Sequence, residues 1–156
     1  MTRKLRITQS TVEQTIKVLQ EAGRRNAEGI VLWLGQRNEP VSVVSFVYQP
    51  IHTAGADFFH IPRQGMCHMM DFMHKNDVAV LAQVHSHPLH AFHSRADDEW
   101  AIVRHLGALS LVLPHFARAA TVLNFLQLSA IFMLDKQNRW SLVPAHNVHG
   151  VLEMVP

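Results

Sequence analysis

The chain has 156 residues, 48% of them hydrophobic and 17% charged, with a formal net charge of +2. That length buries one real core and suits a single domain over residues 1–156, while so small a charge gives no reason to expect a nucleic-acid partner. Cys67 is the only cysteine, which rules out an intrachain disulfide and fits a cytoplasmic setting. The basic start TRKLR has no apolar signal core after it.

Residues 5–7 read as a short strand, and Ser10 or Thr11 as the cap of a helix. The apolar positions Val12, Ile16, Val18, Leu19 and Ala22 carry that helix to about Gly23. EGIVLWLG, opened by Glu28 and closed by Gly35, is an apolar strand. Asn38, Glu39 and Pro40 supply a turn into a second strand over 41–48, followed by a loop over 50–56. A helix starting near Pro62 places Met66, Met69, Met70 and Met73 on one face, the spacing of a core stripe. Residues 78–84, VAVLAQV, form a largely buried strand behind the turn residues Asn76 and Asp77.

His85 and His87 extend that strand. Side chains alternate faces along a strand, so these imidazoles point the same way, about 6 to 7 Å apart along the backbone, and can converge on one metal ion. Pro88 ends the strand and leaves a loop that can bring back a third ligand. Asp97 is the best candidate, and Asp98 beside it is the competitor. Ser94 and Asp97 also have the spacing of a helix capping box ahead of DDEWAIVRHLG, which accounts for both without a metal. His90 and His93 are expected to face solvent or substrate, since further protein ligands would close the position that water needs.

Beyond this loop, a helix over 97–105 is expected to pack Trp100, Ile102, Val103 and Leu106 on the sheet and to end at Gly107. A strand over 109–113 stops at Pro114. Residues 119–134 are uncharged, but Thr121, Asn124, Gln127 and Ser129 make them too polar for a membrane span, so they are assigned to the interior. Residues 117–128 have no firm assignment, and 129–134 with 140–143 read as a hairpin around DKQNR. The tail, 146–156, is open between an added strand and a mobile end.

The run HSHPLHAFHSRAD resembles the signature of the JAMM (MPN+) metalloproteases, His-x-His-Pro followed by Ser-x-x-Asp, and Glu28 at the head of EGIVLWLG matches the upstream glutamate of that family. Two departures stand out: the spacing from His87 to Ser94 is one residue short of the common form, and Val31 replaces a frequent glycine. Keeping Ser-x-x-Asp selects Asp97. The resemblance spans roughly residues 5–144 and implies a JAB/MPN, cytidine-deaminase-like, three-layer α-β-α domain around a mixed, largely antiparallel sheet. It implies one zinc ion per chain on His85, His87 and Asp97, with Glu28 as proton acceptor and donor and Ser94 hydrogen-bonding the reacting carbonyl. The implied reaction is hydrolysis of the amide after the C-terminal glycine of a ubiquitin-like protein.

Other zinc chemistries fit poorly. A metallo-β-lactamase-like site needs an aspartate where Leu89 stands, a nucleoside deaminase needs a Cys-x-x-Cys pair that Cys67 alone cannot build, and His146 and His149 lack the glutamate of a helical His-Glu-x-x-His site. Two alternatives to the isopeptidase remain. One is a non-catalytic scaffold that binds a ubiquitin-like partner; the other is a zinc hydrolase of a small amide or sulfur-carrier substrate.

Overall fold

A computed structural model describes residues 4–156, so Thr2 and Arg3 of the basic start lie outside the described residues. Strand β1 (Lys4–Thr8) leads directly into helix α1 (Gln9–Arg24). The cap is Thr8, whose side chain accepts the Thr11 N–H, in place of the expected Ser10 or Thr11. Strands β2 (Ile30–Gln36) and β3 (Val41–Tyr48) form the hairpin, and the loop after it holds a small antiparallel pair, β4 (Thr53–Ala54) with β5 (Phe59–His60). Helix α2 (Arg63–Asn76) and strand β6 (Ala79–Ser86) follow, then the short α3 (Arg95–Trp100) and β7 (Leu109–Leu113). The unassigned region resolves into a 3-10 turn at His115–Ala117 and one helical turn, α4 (Phe125–Leu128). Strands β8 (Ala130–Leu134) and β9 (Trp140–Leu142) make the predicted hairpin, and a helical turn α5 (Val148–Val151) precedes β10 (Leu152–Val155).

Eight strands form one mixed sheet in the order β10-β1-β3-β2-β6-β7-β8-β9. Its neighbours pair antiparallel at β3-β2, β2-β6, β7-β8 and β8-β9, and parallel at β10-β1, β1-β3 and β6-β7, so antiparallel pairing leads by a narrow margin. The tail is therefore an added strand. Glu153 on β10 also closes an ion pair with Lys4 and Arg6 of β1.

The pleat of β2 shows the layering. Val31 and Trp33 join Val12, Ile16 and Leu19 of α1 on one face, while Leu32 and Leu34 join Met69 of α2 on the other. The buried Trp33 indole donates to Thr15 Oγ1, which satisfies the one polar atom that this large side chain brings into the core. Helices on both faces of the sheet give three layers. No helix among the described residues is long and apolar enough to cross a membrane.

Several local expectations need correction. Helix α3 ends at Trp100, well short of residue 105, because the Ile102 N–H is captured by the Gln83 side chain and leaves the helix ladder. Trp100 and Leu106 consequently point outward, at 74% and 65% exposure, while Val103 alone of that group is fully buried. On α2, Met69 is buried but Met70 is exposed, since consecutive positions on a helix cannot share a narrow stripe. The uncharged stretch over 119–134 is interior only in part: Phe125 and Ile131 are buried, whereas Leu123 is exposed.

Candidate metal centre

His85 is the penultimate residue of β6, and its partners fix the site. On one side β6 pairs antiparallel with β2, matching Ile30 to His85. Ser86 N–H donates to the Gly29 carbonyl, so the same register continues past the strand ends and sets Glu28 opposite His87. On the other side β7 runs parallel, and the His87 N–H donates to the Leu113 carbonyl. The His87 carbonyl in turn accepts the Phe116 N–H at 2.8 Å. That donor sits in a left-handed turn, with φ of 52°, 53° and 57° at His115, Phe116 and Ala117. Three consecutive non-glycine residues in that region carry backbone strain, which the surroundings must hold. Gln20 of α1 does so by donating to the Ala117 carbonyl, and Gly23 lies so close that a Cβ there would meet the Phe116 Cβ at 2.5 Å.

Asp97 arrives from α3. Its backbone N–H donates to Ser94 Oγ, and its Oδ2 accepts the Ser94 N–H, a complete capping box. The capping box leaves the Asp97 carboxylate beside both histidines. Asp97 Oδ1 lies 3.3 Å from His85 Nε2, Oδ2 lies 3.3 Å from His87 Nε2, and the two Nε2 atoms are 3.1 Å apart. Glu28 Oε1 is 3.9 Å from His87 Nε2. All four side chains are buried.

Charge is concentrated here. Burial raises the Glu28 carboxyl to about 7; the nearby His87 opposes this, while Asp97 and Asp57 add to it. Burial also works against ionised Asp97, but hydrogen bonds from His85 and His87 outweigh it and hold that carboxyl well below its ordinary range. Burial lowers His87, yet the Asp97 hydrogen bond and the charges of Glu28 and Asp97 bring it out above its ordinary value.

The donor set fits a metal ion. His85, His87 and Asp97 offer ligand atoms that all lie within 4.8 Å of one another, and they are the one such buried cluster among the described residues. A tetrahedron with arms of zinc-ligand length has edges of about 3.3 to 3.6 Å, close to the separations here. Two imidazoles and one carboxylate leave a fourth position free for water or substrate, the arrangement of catalytic sites. His85 Nδ1 is buried with no partner among the described residues, so the ring is oriented by its walls, including Phe59 at 5.7 Å between ring centres.

A relative named "Probable metalloprotease y4jG", from Sinorhizobium fredii, is 32% identical over 131 residues, covering 81% of this chain and 79% of its own. The chain belongs to that metalloprotease family. The solution structure of protein DSY2949 from Desulfitobacterium hafniense superposes with a TM-score of 0.69 over 97% of this chain and 92% of that one, at 16% identity, and so shares the fold. No protein-family model matches the sequence.

Within this metalloprotease, Ser94 is placed as the α3 cap, and its hydroxyl hydrogen finds no acceptor among the described residues. His90 lies at the surface, its ring 6.3 Å from that of His115. His93 corrects the sequence reading: its side chain is 3% exposed, its Nδ1 meets Asp98 Oδ1 at 2.5 Å, and Phe132 and Trp140 flank the ring. Asp98 is thereby turned away from the donor cluster, and Asp97 is the carboxylate that faces it. Asp57 and Phe92 were not singled out by sequence. The first adds charge near Glu28, and the second packs edge-on to His87 at 4.7 Å. Asp57 lies far along the chain from every site residue and belongs to no motif, whereas Phe92 falls within the run from His85 to Asp97, its one hint.

Proposed function

We propose that this chain is a zinc peptidase of JAMM (MPN+) type, one JAB/MPN domain acting in the cytoplasm, that hydrolyses the amide after the C-terminal glycine of a ubiquitin-like protein. The observation that carries this reading is the buried Glu28 carboxyl beside the His85, His87 and Asp97 donors. His85, His87 and Asp97 would hold the zinc, which when bound would supply a water of near-neutral pKa and polarise a carbonyl. Glu28, buried beside the donors, would accept a proton from the attacking water and deliver it to the departing amine nitrogen. The new C–O bond forms before the C–N bond breaks, so the carbonyl oxygen carries charge in between, and no side chain becomes acylated. Ser94, whose hydroxyl hydrogen has no acceptor among the described residues, would donate to the carbonyl oxygen as it gains charge.

The intact donor set favours an enzyme over a non-catalytic scaffold. The test compares a ubiquitin-like protein joined through its terminal glycine to a lysine side chain with a small glycyl amide. Cleavage of the protein conjugate, lost when the chelated enzyme is assayed and regained with zinc, supports the reading. Cleavage of the small amide alone would reassign the substrate class, and no cleavage of either by zinc-loaded enzyme would favour a scaffold.

A further inference from the structure

Helix α3 carries Asp97, yet little apolar packing holds it. Every residue of the helix except Asp97 is exposed, including Trp100. The capping box fixes Asp97 to Ser94, but both belong to the same turn, so something else must set that turn against the sheet.

A hydrogen-bonded chain does so. Asp98 Oδ1 meets His93 Nδ1 at 2.5 Å, His93 Nε2 meets Ser110 Oγ at 3.0 Å, and Gln83 Nε2 donates to Ser110 Oγ at 3.2 Å. Gln83 Oε1 accepts the Ile102 N–H at 2.9 Å, just beyond α3. Chemistry fixes the polarity. A carboxylate can only accept, so His93 Nδ1 donates to Asp98; Ser110 Oγ already takes the Gln83 N–H, so its own hydrogen goes to His93 Nε2. Burial, the largest influence on His93, lowers its pKa and favours the neutral ring that this arrangement needs. The chain starts on β6, crosses β7, and reaches α3 both before and after the helix. Phe132 of β8 and Trp140 of β9 lock the His93 ring at 4.9 Å and 5.1 Å.

Ser110, His93 and Asp98 have the order of a nucleophilic triad. That role is closed to them, because Ser110 is fully buried on a central strand with its oxygen already engaged.

We propose that Gln83, Ser110, His93 and Asp98 form a polar clamp that positions the Asp97 carboxylate in the metal centre, making His93 and Asp98 positioning residues. The proposal rests on the reading of His85, His87 and Asp97 as metal ligands. Partners of this kind beyond the ligands themselves are typically worth about 10- to 100-fold in metal affinity.

The test is a cobalt(II) titration of the full chain and three variants, reading affinity and the visible absorption that reports coordination geometry, with thermal melting of each metal-free protein as the folding control. Asp98 has a half-exposed side chain, so Asp98→Ala should melt near wild type yet bind cobalt about tenfold or more weakly, with an altered spectrum. Asp98→Asn keeps an oxygen that accepts from His93 and should restore both. Ser110→Ala, cut in the middle of the chain and away from α3, should change the spectrum in the same direction. Wild-type affinity and spectrum in Asp98→Ala would overturn the clamp, as would equal losses in Asp98→Ala and Asp98→Asn, which would assign the effect to charge. If wild type binds no cobalt, the ligand reading fails, and the clamp with it.

Discussion

The Ser86 hydroxyl accepts the Gly29 N–H at 3.0 Å, while the Ser86 N–H donates to the Gly29 carbonyl at 3.1 Å. Ser86 lies between the two site histidines and faces the opposite side of the sheet, so this double tie joins the histidine strand to the segment that carries Glu28. Ser86→Ala leaves a buried N–H unpaired and is expected to cost about 1 to 3 kcal/mol of stability. Because His85 and His87 keep their own backbone bonds, the variant should retain metal but turn over slowly. Metal analysis and steady-state rates on the same preparation check this.

The Glu28 carboxyl makes metal-free stability depend on pH. Its pKa rises from an ordinary 4.5 to about 7 in the folded chain, so the native state holds the proton more tightly than the unfolded one. That contribution is fully present below about pH 4.5 and disappears as pH rises through about 7, a change of about 3 kcal/mol for a group this buried. Between pH 5 and 8, metal-free wild type should lose melting temperature relative to Glu28→Gln, which has no charge to desolvate. Parallel melting curves across that range would contradict the placement of Glu28.

Gly23 is expected to control the metal centre from the far side of α1. A Cβ at this position would overlap Phe116, displacing the strained turn whose N–H holds the His87 carbonyl. Gly23→Ala should therefore weaken metal binding as well as stability. Gly150, with nothing within 4 Å of an added Cβ, is the control, and Gly150→Ala should leave metal affinity unchanged. Equal affinity in the two variants would remove the turn from the account.

Much of this site was legible because its signals are local. The alternating His85 and His87, the proline after them and the Ser94 to Asp97 spacing lie within one short run, and the apolar period of α1 and the runs of β2 and β6 identify their elements. What was hidden depends on contacts distant in the chain. The register that sets Glu28 opposite His87 comes from the pairing of β2 with β6. Burial of His93 needs Phe132 and Trp140, which fold back from the β8–β9 hairpin. The left-handed turn at His115–Ala117 contains no glycine to announce it, and the last strand is defined only by its partner β1. The overlong α3 had a related cause: helical spacing continues past Trp100, but a side chain from β6 captures the backbone first.

Asp97 and Asp98, adjacent in sequence, should separate cleanly in a metal-binding assay. Asp97→Ala deletes one of three donors and is expected to abolish stable binding, whereas Asp98→Ala retains a weakened site. Tight binding by Asp97→Ala would show that the carboxylate ligand had been misassigned.

Replacing Glu28 by glutamine removes one proton acceptor and almost no volume, so it isolates what that carboxylate contributes to turnover. Metal content and cleavage rate should be measured on the same sample beside wild type. About one metal ion per chain is expected in both proteins, with turnover lost by at least about 100-fold in Glu28→Gln. Comparable turnover by a fully metal-loaded Glu28→Gln would contradict the proton-accepting role of Glu28.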